Sequence, residues 1–276
     1  MYIIKHPGQL LKKEITIIKY YCNDARFLFW PLSSVYEMIK REGAAFFSIN
    51  TFYKYVNLLK LNRPRLASRR KHHHMGIRAS APLQIIHVDV TVYRTADNKK
   101  NYIHIIQDNF SRAILQCLVK ITCVAQSTFE LLENVHKEYL HPAGIENCQL
   151  ISDDGSENYG PVKQFIKDSK CPAIQHLIAL RDIVFSNSMI EAANKKLKYN
   201  FLYHHHIANY EELVKYVEPS VNDYNNRPHH VLHGLTPLEV LHGQIPGPDK
   251  YATQIQQSKA NRLKENKKIK CCYHSF

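Results

Sequence analysis

The stretch LQIIHVDVTVY, residues 83–93, alternates around a single charge, Asp89, in an otherwise apolar setting. Alternation with period two is the pattern of a β-strand. A lone carboxylate in the middle of such a strand is costly to bury unless it is paired or holds a metal. This segment therefore decides two things together: a sheet begins here, and something near Asp89 answers its charge.

Reading outward, NYIHIIQDNFSR (101–112) and AILQCLVKI (113–121) continue as strands, with turns at ADNKK and NFSR. VAQSTFELLENVHKEYLH (124–141) has helical periodicity. CQLISDDG (148–155) reads as a fourth strand, GPVKQFIKDS (160–169) as a helix and AIQHLIAL (173–180) as a fifth strand. SNSMIEAANKKLKYNFLY (186–203) and YEELVKYVEPSVNDYNNR (210–227) close as helices. A three-stranded meander followed by alternating helix and strand predicts an α/β layer: a mixed five-stranded sheet with helices on both faces.

Upstream, PLSSVYEMIKREG (31–43) predicts a helix capped at Ser33-Ser34 and stopped at Gly43. SINTFYKYVNLLKL (48–61) restarts at Ser48. Two helices across a short turn suggest a helix-turn-helix, with Thr51, Tyr53, Lys54 and Asn57 as candidate DNA contacts; an ordinary helical hairpin has the same pattern. The expected organisation is a helical DNA-binding region at 1–61, a basic linker at 62–82, an α/β core at 83–243 and a basic, solvated tail at 244–276. His72-His73-His74 lacks the ligand spacing of a zinc finger and fits a solvated stretch near phosphates.

Charge is distributed unevenly. Residues 1–80 carry 15 Lys and Arg against 4 Asp and Glu, residues 81–240 carry 15 against 18, and residues 241–276 carry 7 against 2, within an overall +13. Basic arms around a slightly acidic middle suit a polyanion, because each Lys or Arg that neutralises a phosphate releases counterions. Seven cysteines without a C-x-x-C pair suggest reduced thiols, and no apolar run approaches a membrane span. A soluble, non-secreted, cytoplasmic protein is expected.

Acidic groups at strand ends complete the pattern. Asp153 and Asp154 follow the fourth strand, and Glu191 lies on a later helix that places Asn187, Glu191, Lys195 and Lys198 on one face. Carboxylates that converge on one sheet edge repel one another, and hard divalent cations relieve the conflict. Asp108 reads as the cap of the NFSR turn and not as a further ligand. Glu157, His204-His205-His206 and His229-His230 read as solvated or loop residues.

Together, HVDVT, SDDGSENYG and NSMIEAANKKLK resemble the three signature segments of the DDE insertion-sequence transposases, which share the retroviral-integrase catalytic core. IIQDNFSR, SINTFYKYVNLLKL and YNNRPHHVLHGLTPLEVLHG resemble their supporting segments, in the same order. The resemblance spans residues 30–243. It implies a ribonuclease-H-like fold, two magnesium or manganese ions, and cleavage and strand transfer of double-stranded DNA at element ends and target. It also implies a homo-oligomer on DNA at the bacterial nucleoid, with the product of an upstream reading frame as a further partner. Carried over residue by residue, the catalytic and metal-holding triad is Asp89, Asp153 and Glu191. The motif selects Asp153 over Asp154, which is expected to be solvated. Lys198 corresponds to the family's DNA-contacting basic residue, and Lys195 shares its helix face. Arg227 is placed against DNA or against the core's acidic helix ends. Ile86 stands where the family has tryptophan, and the Arg181-Asp182 loop is unlike the family's. A metal-dependent nuclease that does not join ends, or a DNA-binding protein with a decayed core, would carry the same segments.

Overall fold

The computed structural model describes residues 6–63, 76–168, 173–248 and 250–268. The chain forms two compact units. Among the described residues, one gathers 6–63, 228–234 and the described part of 246–268; the other gathers the described part of 76–227 and 235–245.

The larger unit is built on five strands: β1 (Ile85–Arg94), β2 (Lys100–Asp108), β3 (Ile114–Lys120), β4 (Asn147–Ser152) and β5 (Ala173–Ile178). Their order is β3-β2-β1-β4-β5. β1 pairs antiparallel with β2 and parallel with β4, and β4 pairs parallel with β5. The expected mixed sheet with Asp89 on its central strand is the one observed.

Alternation along β1 sends its side chains to two different layers. Ile86 and Val88 join Ile106, Leu150, Leu131, Leu132 and Val135 in one core. This face is covered by α4 (Ala125–Val135), which runs into a π-helical turn at His136–Leu140, and by α5 (Pro161–Asp168). The opposite face packs Tyr93, Ile103 and Ile105 against Ile190, Ala193, Leu197, Leu213 and Val217. Those residues come from α6 (Ser188–Asn200) and α7 (Tyr210–Asn226). The short α8 (Pro237–Leu241) opens on Pro237, with Thr236 and Glu239 closing a reciprocal capping box.

The smaller unit holds α1 (Lys12–Asn23), α2 (Leu32–Arg41) and α3 (Ile49–Leu58) around Ile18, Val35, Ile39, Phe47, Phe52 and Val56. α2 starts earlier than its serines suggested: Pro31 stands at the N-cap, and Ser34 is a buried residue of the first turn. Proline's fixed φ and missing N–H suit a helix entry, where donors go unpaired in any case. Gly43 ends α2 at φ 66°, a conformation open to glycine at little cost. Ser48 caps α3, its hydroxyl accepting the Thr51 N–H at 3.2 Å.

The C-terminal segment, expected as a solvated basic tail with a helix as one option, is helical but not wholly solvated: it forms α9 (Ala252–Lys268), with Ile255, Ser258, Arg262 and Asn266 along its less exposed seam. Arg262 is buried, pairs with Glu14 at 2.8 Å and donates to the Phe46 carbonyl at 3.0 Å. Asn266 donates to the carbonyls of Pro7 and Gln9. Residues 228–234 join the same unit, where His230 Nδ1 lies 2.6 Å from the buried Glu37 and Arg41 donates to the Gly234 carbonyl. The N-terminal helical region is thus completed by two later stretches of chain, a division that a linear reading at 61, 82 and 243 does not contain.

Candidate active site

β1 and β4 bring two of the three predicted carboxylates to one place. Their parallel register ends at the pair His87–Ile151. Two residues further along come Asp89 and Asp153, the latter just past the end of β4. The third, Glu191, lies in the first turn of α6. The three groups share one electrostatic field: Asp153 and Glu191 both act on Asp89, and Glu191 acts on Asp153.

α6 lies along β1 so that a helical seam meets alternate strand residues. His87 Nδ1 lies 2.7 Å from Asn187 Oδ1, Asn194 Nδ2 donates to Asp89 Oδ2 at 2.7 Å, and Lys198 Nζ donates to Thr91 Oγ1 at 2.6 Å. Helix positions i, i+7 and i+11 fall on one face, and strand positions i, i+2 and i+4 fall on one face; the two periodicities coincide here. Asp89 Oδ1 also accepts the Val90 N–H at 2.9 Å.

Burial lifts the Asp89 carboxyl to about 6, with Asp153 and Glu191 adding to the shift and the bonds from Asn194 and Val90 opposing it. Asp153 is raised too, by partial desolvation first and Glu191 second, while a hydrogen bond from Asn187 works the other way. None of the three forms an ion pair with Lys, Arg or His among the described residues. Lys198 feels Asp89, but burial is the larger influence on it and lowers its pKa. Asp154 contrasts with them. It bonds the Tyr159 hydroxyl and pairs with Arg181 at 2.9 Å, and these partners lower its pKa, the hydroxyl most. Asp154 is solvated as expected, and the Arg181-Asp182 loop adds a surface counter-charge.

The donor set fits hard cations in type, since it offers carboxylate oxygens without a neutralising base. Asn194 Oδ1 is also buried without a hydrogen-bond partner. Among the described residues, no group of three His, Cys, Asp or Glu side chains closes to share one metal ion. The carboxylates therefore share an edge and a field, not a finished cage.

Stability should record this crowding. In metal-free protein, Asp89 keeps a proton between about pH 4 and 6 that the unfolded chain has already released, so ionisation costs stability as pH rises through that window. A shift of about two units corresponds to at most about 3 kcal/mol. Asp89→Asn is expected to be more stable than the parent at pH 7.5, with the advantage gone below pH 4. Urea unfolding in chelator, followed by circular dichroism across pH, checks it; an advantage independent of pH would refute it.

Other predicted residues are placed differently. Arg227 is 2% exposed, pairs with Asp223 at 3.0 Å within its own helix and lies over the Tyr224 ring. A buried, paired guanidinium is not a free DNA contact, so that assignment is corrected; the acidic residue near the end of α7 is its partner. Lys195 is exposed, with its Nζ 6.0 Å from the Tyr199 ring centre, and Asn194 occupies the position facing Asp89. Thr51 is engaged with Ser48, while Lys54 and Asn57 on α3 are exposed. Asp108 is buried and accepts from Leu83 N, Ser111 N and Ser111 Oγ, so it is the turn cap it was read to be. His205 stacks on Phe201 and packs on Tyr216. His72-His73-His74 lie outside the described residues.

Sequence reasoning missed His87, Asn109 and Asn194. His87 is buried and its pKa falls to about 4, chiefly by desolvation, so it is neutral. The available signal was its position two residues before Asp89, on the same strand face.

Among solved structures, a chain of the simian T-cell lymphotropic virus intasome, determined by cryo-EM with PP2A regulatory subunit B56 gamma, is similar over 70% of this chain and 68% of its own. The TM-score is 0.50 and the identity 17%. The fold is that of the ribonuclease-H-like integrase core. The HTLV-2 integrase catalytic core domain in complex with magnesium (18% identity, TM-score 0.45, 60% of this chain and 100% of its own) is also similar to it. So is the catalytic core domain of BIV integrase (16%, 0.45, 58% and 94%). Neither a family model nor a curated protein matches the sequence. Within this integrase fold, no helix among the described residues is long and apolar enough to cross a membrane.

Proposed function

We propose that the protein is a DDE transposase that cleaves DNA at the ends of an insertion sequence and joins them to a target. The proposal is supported by the parallel pairing of β1 and β4, which brings Asp89 and Asp153 to the same part of the sheet with Glu191 acting on both and none of the three ion-paired among the described residues, on an integrase fold. Asp89, Asp153 and Glu191 are the residues that would hold divalent magnesium or manganese, two ions in all. When bound, these supply activation of the attacking oxygen and charge stabilisation at the leaving one.

The chain's own residues set the geometry. Asn194 and the Val90 N–H fix both oxygens of Asp89. In the first step a water oxygen forms a new P–O bond as the 3′ oxygen leaves and takes up a proton. In the second, that 3′-hydroxyl forms a P–O bond to a target phosphate, one target P–O bond breaks, and the proton passes to the departing oxygen. Lys195, exposed one turn after Glu191, suits a phosphate contact. Lys198, on the same helix, would exchange its Thr91 bond for one to DNA. Lys54 and Asn57 on α3 are the exposed groups suited to a major groove. The similar intasome chain supports extending the reading to an assembly of several copies on DNA.

The test is incubation of the full chain with short duplexes carrying its element's terminal repeats and Mg²⁺ or Mn²⁺, scoring nicked and joined strands. Joined products are expected. Nicking without joining would reassign the protein as a nuclease, and neither product would reject both readings.

A further inference from the structure

Past the carboxylates, β1 and α6 run on together to a cluster of three tyrosines. On β1, Asp89, Thr91 and Tyr93 share one face. On α6, Glu191, Lys195 and Tyr199 follow at i, i+4 and i+8 along the exposed side. Tyr203 lies in the short turn after α6 and joins the two elements. Its ring stacks on that of Tyr93, with centroids 5.4 Å apart and planes at 24°, and meets Tyr199 edge-on at 5.1 Å and 78°. Tyr93 is buried and its hydroxyl donates to the Leu202 carbonyl at 3.5 Å, so the cluster is seated on the sheet. Tyr199 and Tyr203 nevertheless stay 38% and 44% exposed. Four strand residues from Asp89 span about 13 Å, and eight helical residues from Glu191 span about 12 Å. Both routes place the rings at about the same distance from the carboxylates, on the α6 side of the sheet.

We infer that Tyr199 and Tyr203 form a stacking platform for unpaired DNA bases, with Lys195 at the phosphate between them and the carboxylates. The inference rests on the reading of the carboxylates as a DNA-processing site, and it names the state of the strand that enters that site. An aromatic face accepts any base, but only one that has left the duplex stack. At 3.4 Å per nucleotide, about 12 Å corresponds to three or four stacked nucleotides, so the platform holds bases a few positions from the reacting phosphate. A second copy of the chain fits this surface less well. Two tyrosines, each less than half exposed, offer on the order of 150 Å², against roughly 800 Å² per partner in a stable interface. The exposed cation beside them, Lys195 with its Nζ 6.0 Å from the Tyr199 ring centre, complements a phosphate backbone.

The test measures binding of the full chain to a labelled single-stranded oligonucleotide and to the blunt duplex of the same sequence, by fluorescence anisotropy without divalent cation. Tyr199→Ala and Tyr203→Ala are each expected to weaken single-strand binding about tenfold, the effect of losing one stacked base, while duplex binding changes by less than about twofold. Tyr199→Phe and Tyr203→Phe keep the ring and are expected to match the parent. Circular dichroism confirms that each variant is folded. Parental single-strand affinity in both Ala variants, or an equal loss on single strand and duplex, overturns the proposal. So does an Ala variant that sediments as a monomer where the parent is a dimer, since the patch is then a contact between copies. The DNA-processing reading fails separately: terminal-repeat duplexes left neither nicked nor joined with Mg²⁺ would reject it, while the single-strand affinities still judge the platform.

Discussion

Asp153→Asn is expected to lose both cleavage and joining by about a thousandfold, whereas Asp154→Asn is expected to remain close to the parent. Stabilisation supplied through a carboxylate-held cation amounts to several kcal/mol of transition-state energy, and about 4 kcal/mol is a factor of a thousand. A neutral amide is a poor ligand for a hard divalent ion. The two residues are neighbours in sequence but not in environment. Asp153 lies in the field of Glu191, whereas Asp154 is occupied by Arg181 and Tyr159. Terminal-repeat duplexes with Mg²⁺, assayed for nicked and joined strands in both variants, decide the matter. An active Asp153→Asn beside an inactive, folded Asp154→Asn would shift the whole site by one residue. If both were inactive and folded, the Arg181-Asp182 loop would have to be part of the site.

Removing Arg262 is expected to destabilise the smaller unit by about 3–5 kcal/mol, because it leaves Glu14 as a buried charge without its partner. The pair is almost fully enclosed, with Arg262 5% and Glu14 6% exposed. Arg262 also donates to the Phe46 carbonyl in the turn between α2 and α3, so its loss frees that turn as well. Trp30 is the single tryptophan of the chain and packs within this unit, its ring 4.7 Å from that of Phe27. Its fluorescence therefore reports this unit's unfolding. Arg262→Met should move the Trp30 urea transition to markedly lower concentration. Glu14→Gln combined with Arg262→Met should recover most of the loss, since no unpaired charge then remains. A Trp30 transition unmoved by Arg262→Met would show that α9 is dispensable to the N-terminal helices. Deleting residues 1–80 to test DNA binding is a poor experiment on the same grounds: it strips the partners from 228–234 and from α9. Neutralising Lys54 tests the exposed α3 surface without that damage.

Much of the larger unit follows from local pattern. Period-two alternation in 83–93, 101–108 and 114–120 and helical periodicity in 124–135 and 188–200 are properties of short windows, and burial on one or two faces enforces them. The three carboxylates were legible for the same reason: a charge in an apolar strand, or at its end, stands out against its neighbours, and the family resemblance then ordered them. Asp108 was legible as a cap because the turn it closes is three residues away. What the sequence could not decide were contacts between distant residues whose chemistry is ambiguous by itself. Arg227 reads equally as a DNA contact or as the partner of an acidic helix end until its burial beside Asp223 and Tyr224 selects the second. A polar tail reads as solvated until one arginine meets Glu14 across 248 residues. His87, Asn109 and Asn187 are unremarkable singly, and only the packing of α6 along β1 joins them through buried hydrogen bonds. The division has a physical cause: periodicity and capping depend on neighbours a few residues apart, whereas the partner of a buried polar group is set by where the backbone brings it.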